Sequence, residues 1–156
     1  MRAVQFIQQW TDASAFFIWL RESPSIWAYP TVFFLHTIGL VFIAGASIVI
    51  DARALGALAD LEVAPFAKFF RPIWIGIWIT ALSGVIMLLS DFQTRVENKL
   101  FPVKMVFVVA AIVLTALMRR RVERADASPS TRAMAAASLV CWLGAITAGR
   151  FMAFFQ

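Results

Sequence analysis

Charge, cysteine, histidine and tyrosine are all scarce in this 156-residue chain. Charged residues make up 15% of it and apolar residues 62%, whereas soluble domains run to about 25% and about half, respectively. That leaves too little polar surface to cover a soluble globule. The one cysteine, Cys141, stands inside an apolar run, which excludes intrachain disulfides and cysteine-clustered metal sites. The one histidine, His36, has no acid in its own apolar run, which argues against a Ser-His-Asp site, and no catalytic residue is assigned. The methionines are scattered without a Met-x-x-Met pair, so a copper-transport path has no support. Met1 to Glu22 lacks both a continuous apolar core and a small-residue cleavage site and does not read as a secretory signal.

Long apolar runs are what the chain does have, and mean hydropathy is +0.81. A membrane-crossing helix needs about 20 predominantly apolar residues for roughly 30 Å of hydrocarbon. Four runs meet that length, at 25–50, 72–90, 100–118 and 133–155. The first carries no formal charge, and its Pro30 is expected to kink one end. Ser23 and Pro24 are expected to start that helix as N-cap and first-turn residue. Residues 51–71, 91–99 and 119–132 are polar connections. The expected fold is all-α, a four-helix transmembrane bundle forming a single domain over 1–156. Ahead of it, residues 1–22 set Val4, Phe6, Ile7, Trp10, Phe17 and Trp19 on a mostly apolar stripe with glutamines opposite. That pattern predicts an amphipathic helix lying in the headgroup plane.

The formal charge of +5 falls in loops between spans, where topology explains it better than nucleic acid does. Arg119, Arg120 and Arg121 abut a span end, where the positive-inside bias acts most strongly. The 51–71 and 119–132 loops are therefore expected in the cytoplasm of a bacterium, and both termini on the periplasmic side of its inner membrane. A faint internal echo links Trp74-Ile-Gly76 and Thr80 to Trp142-Leu-Gly144 and Thr147. Gly76 and Gly84 share one face of the second span, as small residues at helix contacts do.

An ionisable group inside a span marks a functional site by default. His36 lies about 16 Å along its span, at 1.5 Å rise per residue. Lys104 and Arg150 lie nearer the same side of the membrane, shallower by about 10 Å. A deep imidazole below two cations suits a b-type haem, its iron on His36 and its propionates on Lys104 and Arg150. Gly39 would leave room for the ring, Phe33 and Leu40 would help wall it, and Met87 or Met105 could supply a second axial ligand. Alternatively, a symmetry-related His36 could do so, or the sixth position could stay open to small gases. Such a protein would transfer electrons or sense a redox ligand, with quinone or another redox carrier as partner. Two other readings stand beside it. In one, His36 only hydrogen-bonds a neighbouring helix, through Thr80, Ser83, Thr115, Ser138 or Thr147, in a structural or accessory subunit. In the other, it titrates in a small proton-coupled transporter.

His36-Thr-Ile-Gly39-Leu, Gly45 and Asp51-Ala-Arg53-Ala-Leu-Gly56 resemble the first-span signature of an uncharacterised family of small four-helix bacterial inner-membrane proteins. Ser90-Asp91, Asn98-Lys-Leu-Phe101 with Lys104, and Ala148-Gly149-Arg150-Phe-Met-Ala continue the resemblance. More distantly, the chain is similar to copper-resistance D-type domains and cytochrome-b-like bundles. That likeness implies haem held between helices by paired histidines. A single histidine departs from the pattern and implies one haem per subunit, or a haem shared in a homo-oligomer.

Overall fold

The structure is a computed structural model describing residues 2–58, 64–124, 126, 128–152 and 154. The described residues form helices and no strand: α1 Arg2–Ala13, α2 Ala15–Glu22, α3 Tyr29–Leu55, a 3-10 segment Ala64–Phe69, α4 Phe70–Ser90, α5 Phe92–Glu97, α6 Leu100–Glu123 and α7 Pro129–Phe151. Of these, α3, α4, α6 and α7 are long and apolar enough to cross a membrane. Their outward faces are apolar, with Trp78, Leu82, Val106, Val140 and Leu143 all exposed. A surface of that kind is stable against lipid and not against water. The chain is a multi-pass membrane protein with an all-α bundle.

Span boundaries differ from the sequence expectation for local reasons. Ser23 does not cap α3; it ends α2, its N–H bonding the Trp19 carbonyl. The chain then turns through residues 26–28, and Pro30 sits in the first turn of α3. There its missing N–H costs nothing, so it starts the helix and does not kink it. At the other end α3 runs past Asp51 to Gly56, whose φ of 98° provides the left-handed cap. Arg119–Glu123, expected as loop, is the last turn of α6. α7 starts at Pro129 and ends at Phe151. Residues 59–63 of the expected 51–71 connection, and 153 and 155 of the expected fourth span, lie outside the described residues.

The expected interfacial helix is broken at Ser14 into α1 and α2. It also packs on the bundle. Phe17 and Leu20 are buried with Ala28 against Tyr29, Val32, Ile86 and Leu89. Arg21 bridges to Asp12 at 2.9 Å and donates to the Ser90 carbonyl at 3.1 Å. The Gln93 backbone N–H donates to Gln8 Oε1 at 3.1 Å, which ties α1 to α5. α1 and α2 thus cap one end of the bundle.

Around the bundle, α4 packs on α3, α3 on α7 and α7 on α6, while α4 and α6 scarcely touch. The α3–α4 contact is the tightest. A Cβ on Gly39 would stand 2.9 Å from the Gly76 carbonyl oxygen, and one on Gly76 would stand 2.7 Å from that of Gly39. With lipid as apolar as leucine, close van der Waals fit of this kind, with interhelical hydrogen bonds, holds helices together. Between α6 and α7, Trp142 Nε1 donates to Thr115 Oγ1 at 3.2 Å in the core, and Gly144 lies against the Phe107 ring.

Asp51, at the far end of α3 from His36, turns into the core. It is 2% exposed and accepts a hydrogen bond from Ser138 on α7. At the same end a polar knot joins α6 to α7. Arg121 Nη1 donates to Asp126 Oδ2 at 3.0 Å, to Ser130 Oγ at 2.8 Å and to Thr131 Oγ1 at 3.1 Å. Asp126 Oδ1 accepts the Ser128 N–H at 2.9 Å, and Ser128 caps α7. Hydrogen bonds from Ser128 and Thr131, with Arg121 adding less, pull the Asp126 carboxyl down to about 2.

Two outcomes follow from this packing. Gly39→Ala or Gly76→Ala should destabilise the detergent-solubilised protein by about 1–3 kcal/mol, because backbone must move. Gly45→Ala, with nothing within 4 Å of its Cβ, should be neutral or stabilising by a few tenths to about 1 kcal/mol; heat-unfolding midpoints compare the three. Asp126 has a folded pKa below its unfolded value of 3.8, so its contribution is full above about pH 4 and disappears as pH falls towards about 2. The wild type should therefore melt higher than Asp126→Asn at pH 6. The gap should close progressively between about pH 4 and pH 2.

Candidate functional site

His36 stands in the second turn of α3, held against α4 one turn from the Gly39–Gly76 crossing. Gly84 passes beneath its ring, and a Cβ there would lie 3.2 Å from His36 Cε1. His36 Nδ1 and Ser83 Oγ are 3.0 Å apart. Of the hydroxyl partners expected for His36, Ser83 is the one that α4 supplies.

The direction of that bond follows from its neighbour. Ser83 Oγ lies 2.6 Å from the Ile79 carbonyl oxygen, which can only accept. The serine's one proton goes there, so Ser83 must accept from His36. Neutral His36 therefore carries its proton on Nδ1 and keeps the Nε2 lone pair. The ring also hydrogen-bonds the Thr80 backbone carbonyl, so α4 holds it through two groups. A hydrogen bond at one ring nitrogen that presents the other as a base is the arrangement metal-bound histidines use.

Two cations act on this ring. Lys104, from the first turns of α6, crosses the face of α7 at Gly149, whose Cβ position is 3.4 Å from Lys104 Cε. Lys104 and Arg95 are near enough to act electrostatically on His36, and Arg95 acts on Lys104. Arg95, from α5, donates to the Tyr29 hydroxyl at 3.0 Å, while its Nε is buried without a partner among the described residues. The chain thus places positive charge beside a neutral imidazole at the end capped by α1 and α2. Among the described residues no carboxylate is near enough to act on the ring as these cations do, and Asp51 lies about 22 Å away along α3 at 1.5 Å per residue.

The other expected residues divide. Lys104 joins His36. Arg150 is exposed on α7, and Arg95 occupies the second cationic position that the sequence assigned to it. Gly39 does not open a slot, because the Gly76 carbonyl and Thr80 fill the space its missing side chain leaves. The glycine that faces the imidazole is Gly84. Phe33 is exposed to the lipid side and Leu40 is half-buried. Met87 is half-buried one turn beyond Ser83, and Met105 is 42% exposed on α6. No group of three or more His, Cys, Asp or Glu side chains forms a metal cage among the described residues.

From sequence, Ser83 is one of five hydroxyls open to His36, Gly84 reads as a packing glycine, and Arg95 has no role assigned. Ser83 lies 47 residues from His36 along the chain and Gly84 follows it, and only the α3–α4 register joins them to the imidazole. Arg95 reads as an ordinary loop cation until α5 carries it to Tyr29.

Replacing Ser83 with Ala removes one of the two acceptors that hold the ring, the other being the Thr80 carbonyl. Side-chain ¹⁵N spectra of the wild type at neutral-to-alkaline pH should show one protonated nitrogen, Nδ1, and an unprotonated Nε2. Ser83→Ala should give a mixture of tautomers, and its stability should fall by only about 0.5–2 kcal/mol. An Nε2–H wild type would overturn the assigned bond direction. Comparison of the chain with protein-family models, with curated proteins and with solved structures finds no match.

Proposed function

We propose that the protein is a b-type haem protein of the bacterial inner membrane, with His36 Nε2 as an axial ligand. The observation that carries this reading is the hydrogen-bond relay Ile79–Ser83–His36. It orients the ring on α4 and would present Nε2 as a ligating base, half-buried in an apolar helix pair. The donor chemistry fits haem iron. Lys104 and Arg95 would receive the propionates, in place of the Lys104–Arg150 pair. Within one subunit the walls are incomplete, since Gly39 is filled by α4 and Phe33 faces outward. A flat ring would have to take its second wall from the α4–α6 side or from another subunit, as in a homo-oligomer sharing the cofactor. Met87 is the internal candidate for a second ligand. Electron transfer or redox-ligand sensing, with a quinone as one candidate partner, follows from that chemistry. The arginine-rich end would face the cytoplasm and the α1–α2 cap the periplasm.

One observation favours a second reading. The His36–Ser83 bond also joins α3 to α4, and interhelical hydrogen bonds of this kind contribute about 0.6 kcal/mol on average in membranes. In that reading the protein is a cofactor-free accessory subunit.

Absorption spectra of protein purified from haem-replete cells separate the two. The haem reading expects a Soret band, sharpened α and β bands on dithionite reduction, and loss of both in His36→Ala. Arg95→Gln with Lys104→Gln should weaken haem retention without abolishing the spectrum. A colourless wild type, with haem absent by pyridine haemochrome assay, would leave only the structural role.

A further inference from the structure

At the opposite end from His36, the separation of α4 from α6 leaves an open groove of about 640 Å³. Lys68, Arg71 and Arg119 line one part of it, and Trp74, Ile75 and Trp78 line the rest. Arg71, Trp74, Ile75 and Trp78 follow i, i+3, i+4, i+7 spacing and so share one stripe of α4. That stripe begins at a cation in the first turn of α4 and proceeds into the span, and Trp78 and Ile75 are 65% and 47% exposed. Among the described residues, no carboxylate pairs with Lys68 or Arg71. Arg119 meets Glu123 at 2.9 Å through Nε.

We infer that this groove is a binding site for an anionic phospholipid. Its phosphate headgroup would be held by Lys68, Arg71 and Arg119, and an acyl chain would lie along Trp74, Ile75 and Trp78. The occupant must be anionic at one end and apolar over the next two helical turns, about 11 Å. It must also be reachable from the bilayer, because the groove opens where α4 and α6 part. A soluble anion satisfies only the cationic part, and a neutral lipid only the apolar part. Basic pockets between membrane helices hold acidic headgroups in this way, and tryptophans settle at the depth where headgroup meets chain. The inference stands apart from His36 and from any cofactor.

The test uses the full-length protein reconstituted in phosphatidylcholine vesicles. Tryptophan quenching by brominated phosphatidylglycerol is compared with quenching by brominated phosphatidylcholine. The wild type should prefer phosphatidylglycerol, and Lys68→Gln with Arg71→Gln should lower that preference about tenfold or more, at about 1 kcal/mol per basic residue near the surface. Trp78→Phe should remove much of the lipid-specific quenching while the preference measured by native mass spectrometry persists. Arg120→Gln with Arg124→Gln removes the same charge from the same end but outside the groove, and should leave the preference nearly intact. Equal quenching by both lipids in the wild type would overturn the proposal. So would equal losses in the two double variants, since that is the signature of diffuse surface charge. Displacement of phosphatidylglycerol by millimolar inorganic phosphate would show a soluble-anion site and overturn the lipid assignment.

Discussion

The contact of Gly39 with Gly76 governs the rest of the molecule. Within a bilayer, apolar side chains gain nothing by leaving lipid for one another, so helix pairs depend on how closely their backbones approach. Two glycines facing each other bring α3 and α4 to within 2.7–2.9 Å of any added Cβ. That approach fixes rotation and register at once. With the register set, His36 on α3 must meet Ser83 and Gly84 on α4, two turns beyond Gly76. A shift of one residue would carry the imidazole off its hydroxyl partner.

Tight packing on one side accompanies openness on the other. α3 is committed to α4 and α7, and α7 to α6, so the α4–α6 seam is the part of the square left slack. Both chemically distinctive regions relate to this asymmetry. The ring of His36 sits where α3 grips α4, under the charge of Lys104 arriving from α6. The basic, tryptophan-lined groove lies where α4 and α6 separate. A bundle closed equally on four sides would offer neither a lateral entry for a flat ligand nor a lipid-facing cleft.

The two ends also differ in how they are finished. One is capped by α1 and α2, whose Phe17 and Leu20 are buried on the bundle and whose Arg21 bridges Asp12 and the end of α4. The two short helices in this position therefore have a structural duty. The other end is held by the Arg121–Asp126 knot and the Ser128 cap. Asp51 is drawn into the core there, because α7 offers the Ser138 hydroxyl at its level. The knot makes α6 and α7 a stiff hairpin, while the slack remains between α4 and α6.

Residue composition and run length determined by themselves that the chain is all-α, that four of its helices are long and apolar enough to cross a membrane, and that Lys104 lies toward the same end as His36. Those properties are set by hydropathy and by rise along a helix, which are local. The helical path of Arg119–Glu123 and the start of α3 at Tyr29 depended on turn geometry, where local signals compete: Ser23-Pro24 reads as the helix start and Pro30 as a kink, whereas Ser23 ends α2 and Pro30 falls in the first turn of α3. The partner of His36 among five hydroxyls, the role of Gly84 in place of Gly39, and Arg95 in place of Arg150 were decided only by tertiary structure. Each depends on the rotation of one helix against another, and sequence periodicity says little about rotation when every face of a span is apolar.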